Sequence, residues 1–219
     1  MTDGRALVTG LMREGGLYCL TAEPFSLGRS NAEVVRAMLD AGVRLIQYRE
    51  KRKKAGEMLR ECRELRAMTR AAGAALIVND HIDLALLAEA DGVHVGQDDL
   101  PVEAVRRLTG PGVAIGLSTH GPEQARAAVA AGADCIGVGP LFATQTKEDV
   151  CAPVGLDYLD FVVREIDLPF AAIGGVKAHN LPQVLAHGAR TVCLVTEIVG
   201  APDIGARIAE LATILRAPR

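Results

Sequence analysis

The sequence predicts an α/β chain closed as a (β/α)8 TIM barrel in a single domain. Three observations carry that prediction. Eight short runs rich in β-branched residues alternate with segments whose apolar residues recur every three or four positions. A junction recurs just ahead of these runs, as Ala41-Gly42-Val43, Ala72-Gly73-Ala74, Ala131-Gly132-Ala133 and His187-Gly188-Ala189, with Ala90-Asp91-Gly92 as a variant. Glycine there can take the left-handed conformation that ends a helix and turns the chain into a strand. Thirdly, the first run leads into Thr21-Ala22-Glu23-Pro24, where a doubly wound open sheet would place a glycine fingerprint. Eight units over 219 residues leave about 27 residues each, near the minimum for a strand, a helix and two loops.

Composition narrows the function classes. Apolar residues make up 49% and charged residues 23%, which excludes a disordered chain. The 24 basic residues nearly balance the 27 acidic ones, giving a net charge of −3, and no long basic run exists. No nucleic-acid partner is expected. With no Trp, three Tyr and four Phe, the core must be built from Ala, Val, Leu and Ile. The 23 glycines suit helices packed closely on a buried parallel sheet. No apolar run approaches the ~20 residues that span a bilayer, so no membrane partner is expected. Residues 1–15 carry Asp3, Arg5, Arg13 and Glu14 and lack the apolar block of a signal peptide. They are expected to form a helical extension packed on the barrel of residues 16–219, in a cytoplasmic protein; a homo-oligomer is left open. Of five scattered cysteines, Cys19, Cys135 and Cys193 sit in apolar runs and read as small core residues. No disulfide framework or structural zinc site is expected.

The predicted strands are 17–21, 43–49, 75–79, 92–95, 114–118, 135–139, 170–173 and 192–196. In this fold the reactive groups gather where strands end. The second strand ends Gln47-Tyr48-Arg49-Glu50-Lys51. Alternation turns Gln47, Arg49 and Lys51 to one side, an amide and two cations that suit an anionic substrate. Because Arg52, Lys53 and Lys54 follow, a solvated loop is the alternative, and the residues alone leave both open. The third strand ends Asn79-Asp80-His81. Asp80 reads either as a ligand for a hard cation or as the cap of the next helix. The fourth leads into Gly96-Gln97-Asp98-Asp99-Leu100-Pro101, where Asp99 has the same two readings. Asp80 and Asp99 on neighbouring strand ends together suit Mg²⁺, which takes one or two carboxylates along with phosphate oxygens and water.

The fifth strand ends Ser118-Thr119-His120. Ser118 lacks the elbow motif of a nucleophile and reads as a hydrogen-bond donor, with His120 as proton relay or plain neighbour. The sixth opens a long polar loop with Thr144-Gln145-Thr146-Lys147, whose hydroxyls and ammonium suit a phosphate or diphosphate. The seventh ends Gly174-Gly175, exposing backbone N–H groups, and the eighth ends Val195-Thr196. Loops after strands seven and eight form the recurrent phosphate site of this fold. Two anion regions and a magnesium site point to displacement of pyrophosphate, in which a metal and lysines take up the departing charge. No residue stands out as a covalent nucleophile.

These segments resemble the thiamine phosphate synthase family. The resemblance runs in order from Leu17 to Ile198 through Gln47-Tyr48-Arg49-Glu50-Lys51, Val78-Asn79-Asp80, Gly96-Gln97-Asp98-Asp99, Ser118-Thr119-His120, Thr144-Gln145-Thr146-Lys147 and Ile173-Gly174-Gly175. It implies a transferase that joins 4-amino-5-hydroxymethyl-2-methylpyrimidine diphosphate to a thiazole phosphate, releasing pyrophosphate. It implies one Mg²⁺ per subunit on Asp80 and Asp99. Gln47, Tyr48, Arg49, Glu50, Lys51, Asn79, Ser118 and Lys147 are implied to contact the pyrimidine diphosphate. Arg49, Lys51, Ser118 and Lys147 are the expected catalytic residues. Thr144, Gln145, Thr146, Gly175, Val195 and Thr196 are implied to hold the thiazole phosphate. The family mechanism is dissociative. Two departures stand out. Tyr48 stands where an aliphatic residue is common in the family, though alternation turns it outward, and Glu197 stands where the family often has alanine, which adds a negative charge unless it points away. A thiazole tautomerase of the same fold would use the His120 position and would need neither the aspartates nor the Lys147 loop. A non-catalytic phosphate-ligand sensor on the same scaffold is the third reading.

Overall fold

The computed structural model describes residues 3–146 and 151–217. A helix, α1 (Gly4–Glu14), comes first. Eight strands follow: β1 (Gly16–Leu20), β2 (Leu45–Tyr48), β3 (Ala75–Asn79), β4 (Gly92–Val95), β5 (Ala114–Thr119), β6 (Cys135–Val138), β7 (Phe170–Ile173) and β8 (Thr191–Cys193). Each pairs in parallel with the next, and β1 pairs with β8, so the sheet closes. The register aligns Gln47 with Ile77 and Asn79 with His94.

The helices between strands are α2 (Asn31–Asp40), α3 (Ala55–Ala71), α4 (Ile82–Leu87), α5 (Val102–Thr109), α6 (Pro122–Ala130), α7 (Gly155–Glu165) and α8 (Leu181–Ala186). A short α9 (Thr196–Val199) and α10 (Ile204–Arg216) end the chain. The expected junction conformation is present: Gly42, Gly73, Gly132 and Gly188 all have positive φ. The variant junction works differently. Asp91 is buried, and its carboxylate accepts the Leu76 N–H at 2.9 Å while pairing with Arg66. Burial raises its pKa, and those partners oppose the rise.

The apolar residues divide into two layers. One lies between sheet and helices and includes Ile46, Tyr48, Leu65, Leu76 and Leu159. The other fills the barrel's interior with Leu45, Ala75, Ile77, Ala114 and Ala171. Val8, Leu11 and Met12 of α1 complete this inner layer, so the helix plugs the end from which the strands start. Gly4 permits the approach, since a Cβ there would lie 2.7 Å from the Asp91 carbonyl oxygen. The eighth strand is shorter than the expected 192–196. Val195 already has helical dihedrals, and Thr196 opens α9. The second strand also starts later than expected, because the Val43 N–H bonds back to Met38 and closes the turn from α2.

Candidate active site

A cavity of about 1000 Å³ opens where the strands end and descends past Tyr18 and Cys135 to Met12. Its wall begins on β2. Gln47 points inward, and its amide N–H donates to the Tyr18 hydroxyl at 2.7 Å. Burial pushes the Tyr18 phenol up, so it stays protonated. Arg49 lines the cavity, and its backbone N–H donates to Thr21 Oγ1 at 2.8 Å. Glu50 is buried at the rim; its Oε1 accepts the N–H groups of Lys51 and Arg52 at 2.7 and 3.0 Å and so shapes the loop. Tyr48 is not brought to the site. It faces the helix layer, is fully buried there, and donates to Glu61 Oε2 at 2.7 Å. That corrects its assignment as a substrate contact. The β-strand alternation decides its side, whatever the neighbouring residues do.

Asn79 and Asp80 line the next stretch of wall. The helix-cap reading of Asp80 does not hold. The residue preceding α4 is His81, and no side chain caps that helix. Asp80 instead has φ of 62°, a left-handed conformation that Asp tolerates better than most residues. Its N–H donates to the His94 carbonyl at 2.8 Å, and its carboxylate pairs with Lys51 Nζ at 2.6 Å. Asp99 is no helix cap either, since Pro101 precedes α5 without a side-chain cap. Asp99 Oδ2 accepts the Gly96 N–H at 2.7 Å, and Asp98 and Asp99 line the same cavity as Asp80.

His94 of β4 points into the barrel with Nε2 3.0 Å from Ser118 Oγ. A Cβ on Gly116 would lie 2.4 Å from its ring, so glycine on β5 makes room for the imidazole. Gln97 Nε2 donates to the Ser118 carbonyl at 2.6 Å. His120 Nδ1 lies 2.5 Å from the Gly139 carbonyl, which can only accept, so that nitrogen carries the proton. Across the cavity stand Thr144, Gln145 and Thr146, with the two threonine hydroxyls 3.1 Å apart. Lys147 lies outside the described residues. Gly174 and Gly175, at φ of 92° and 66°, let the loop after β7 pack on Pro140, Phe142 and Ala143. Val195 and Thr196 line the same side. Glu197 is held by Arg207 at 2.8 and 3.0 Å and does not line the cavity.

Among the lining residues that the sequence reading did not place at the site, Lys177, His94 and Phe25 stand out. Lys177 donates from Nζ to Thr196 Oγ1 at 2.9 Å and brings a cation to the threonine and glycine side. Its signal was a lysine two residues beyond Gly175. His94 lies within β4, two residues before Gly96, and the alternation of that strand turns it inward. Phe25 lines the rim from the loop after β1, and no local pattern marks it. Cys135 also lines the cavity, but burial pushes its thiol up to about 12, which suits a core residue better than a nucleophile. Among the described residues, no group of three or more His, Cys, Asp or Glu side chains could hold a metal. Asp80 and Asp99 remain as a pair of hard oxygen donors, a set that fits Mg²⁺ sharing its shell with phosphate and water.

The arrangement thus puts carboxylates and cations on one side of a cavity, and hydroxyls, glycine backbone and a lysine on the other. Comparisons with known proteins show the family of the chain that carries it. The family model described as thiamine monophosphate synthase matches residues 17–198. A thiamine-phosphate synthase from Pelotomaculum thermopropionicum is 58% identical over 208 residues, covering 95% of each chain. One from Lawsonia intracellularis is 53% identical over 205 residues, covering 94% of each. A solved thiamine phosphate pyrophosphorylase from Pyrococcus furiosus superposes with a TM-score of 0.85 at 32% identity, covering 93% of this chain and 96% of the other. With a family model spanning most of its length, and relatives above half identity over nearly all of it, the chain belongs to the thiamine monophosphate synthase family.

Proposed function

We propose that this protein is a cytoplasmic thiamine-phosphate synthase, a transferase joining a pyrimidine diphosphate to a thiazole phosphate with release of pyrophosphate. The observation that carries the reading is one cavity lined by two groups of side chains suited to anions, Arg49 and Lys51 beside Asp80 and Asp99, and Thr144, Thr146, Gly175, Lys177 and Thr196. An isomerase or a sensor for a single phosphate ligand needs only one of them.

Asp80 and Asp99 would hold one Mg²⁺, whose charge offsets that of the diphosphate. Arg49 and Lys51 bind the diphosphate oxygens, with Lys147 assigned to the same task from the sequence. Cations in place before reaction stabilise the charge that develops as the C–O bond to diphosphate breaks. Gln47 and Asn79 orient the pyrimidine, and Ser118 donates a hydrogen bond to the same substrate. The thiazole phosphate sits on Thr144, Gln145, Thr146, Gly175, Val195, Thr196 and Lys177. Its ring nitrogen then attacks the pyrimidine methylene carbon left by the diphosphate. The product is a thiazolium, so no proton needs to move in the bond-forming step. A cavity whose deep Cys135 is held as a thiol suits that chemistry.

Pyrophosphate release measured with both substrates and Mg²⁺, then with each component omitted, tests the reading. Release is expected from the complete mixture alone. No release from that mixture, or equal release without the thiazole phosphate, contradicts it. Two variants sharpen the assignment. Lys177→Met is expected to raise KM for the thiazole phosphate about tenfold, the loss of one charge-assisted bond, with KM for the pyrimidine diphosphate unchanged. Tyr48→Phe is expected to leave both KM values unchanged and lower stability by about 1–2 kcal/mol, read by denaturant unfolding, because Glu61 loses a donor.

A further inference from the structure

We propose that segment 21–30, between β1 and α2, is a bracket that ties the two substrate sites into one frame, with Lys53 and Arg29 as its positioning residues. The proposal rests on the assignment of the two sites above.

One end of the segment is fastened to the diphosphate side. Thr21 Oγ1 accepts the Arg49 N–H at 2.8 Å and donates to the Arg49 carbonyl at 3.2 Å. Two residues on, Glu23 takes one side of the Lys53 ammonium, and Glu61 of α3 takes the other. Asn31 at the start of α2 donates from Nδ2 to both carboxylates, at 3.2 and 3.1 Å. Tyr48 donates to Glu61 from the outer face of β2. Segment 21–30, α2, β2 and α3 therefore meet around a single ammonium. In sequence Lys53 reads as one of three solvated cations, yet its side chain is only 16% exposed. Burial works against its charge, and the two carboxylates outweigh that cost. Lys53 thus holds from behind the loop whose Arg49 and Lys51 face the cavity.

The other end is fastened to the thiazole phosphate side. The Arg29 guanidinium donates to the carbonyls of Val199 and Ala201 at 2.7 Å each, and to that of Pro202 at 3.3 Å. Its Nε bonds Ser26 within the segment itself at 2.8 Å. Those carbonyls cluster where α9 ends, a place where helices leave acceptors bare and where a cation is favourable. Val199 is the last residue of α9 and the other two lie just beyond it; that helix begins with Thr196, which faces the cavity. The two pieces touch at Gly200, whose Cβ position lies at ordinary contact distance, 3.5 Å, from the Phe25 carbonyl oxygen. Between the anchors, Pro24 and Phe25 line the cavity. A shift of about 1 Å in a reacting group can cost a hundredfold in rate, so the anchoring of these loops bears on turnover.

The variants Glu23→Gln, Lys53→Met and Arg29→Met test this by steady-state pyrophosphate release with each substrate varied in turn. Glu23→Gln keeps the Lys53–Glu61 contact and is the mildest, because ion pairs this near the surface add little to stability. Glu23→Gln and Lys53→Met are expected to raise KM for the pyrimidine diphosphate about tenfold and leave that for the thiazole phosphate within about twofold. Arg29→Met is expected to do the reverse. Unchanged KM values, or both rising together in every variant, would overturn the bracket. Amide hydrogen exchange supplies a readout that needs no turnover. Exchange should quicken at residues 49–52 in Glu23→Gln and at 196–200 in Arg29→Met; rates as in the wild type at both places count against the proposal. A wild-type protein that releases no pyrophosphate would defeat the functional assignment alone, and the exchange result would still decide the bracket.

Discussion

Asp80→Asn and Asp99→Asn are each expected to slow pyrophosphate release by about a hundredfold or more, with the fold retained. Asparagine is the substitution of choice at position 80. It removes the charge yet still tolerates the left-handed φ of 62°, whereas alanine would add backbone strain to the loss of the carboxylate. The Asp80 variant also leaves Lys51 without the carboxylate now 2.6 Å from its ammonium, so affinity for the diphosphate changes along with the metal. Asp99→Asn weakens the acceptor that closes the turn at Gly96. Titrating turnover with Mg²⁺ separates the two effects. A loss that excess Mg²⁺ partly restores supports the metal assignment, and a wild-type rate in either variant refutes it. Thermal melts of both variants should lie close to that of the parent.

Gly175→Ala is expected to raise KM for the thiazole phosphate by about tenfold or more and to destabilise the fold by about 1–3 kcal/mol. Two independent costs act there. The φ of 66° is left-handed, and the added Cβ would lie 2.6 Å from the Ala143 carbonyl oxygen and 2.7 Å from Phe142 Cβ. The loop after β7 must then move off the loop after β6, and the phosphate side of the cavity opens. Gly42→Ala is the control. Its φ is 84°, nothing lies within 4 Å of its Cβ position, and it stands at the opposite end of the barrel. It should cost about 1–2 kcal/mol in backbone strain and leave both KM values alone. If both variants change the kinetics alike, strain alone explains Gly175 and the close approach of the two loops is irrelevant to binding.

Particular residues show how far local pattern reaches. The spacing of β-branched runs and the repeated glycine junctions carried the barrel, and the left-handed glycines at 42, 73, 132 and 188 stand where the pattern put them. Asp80 and Asp99 were legible as a pair because strand ends gather at one rim, and both line the same cavity. The alternation of β2 already turned Tyr48 outward, and assigning the whole motif to substrate overrode that rule. Boundaries were least legible where one residue changes from strand to helix dihedrals, as at Val195.

By itself the sequence determined what repeats over a few positions: strand and helix periods, the glycine turns between them, and the kinds of side chain at each strand end. Those follow from backbone geometry and burial acting within one unit of the barrel. Tertiary structure alone decided which charges meet. Lys177 reaches Thr196, Glu197 turns to Arg207, Lys53 leaves solvent for two carboxylates, and Arg29 crosses to carbonyls some 170 residues away. A long flexible side chain has many staggered conformers, and only the closed barrel supplies the partner that selects one of them.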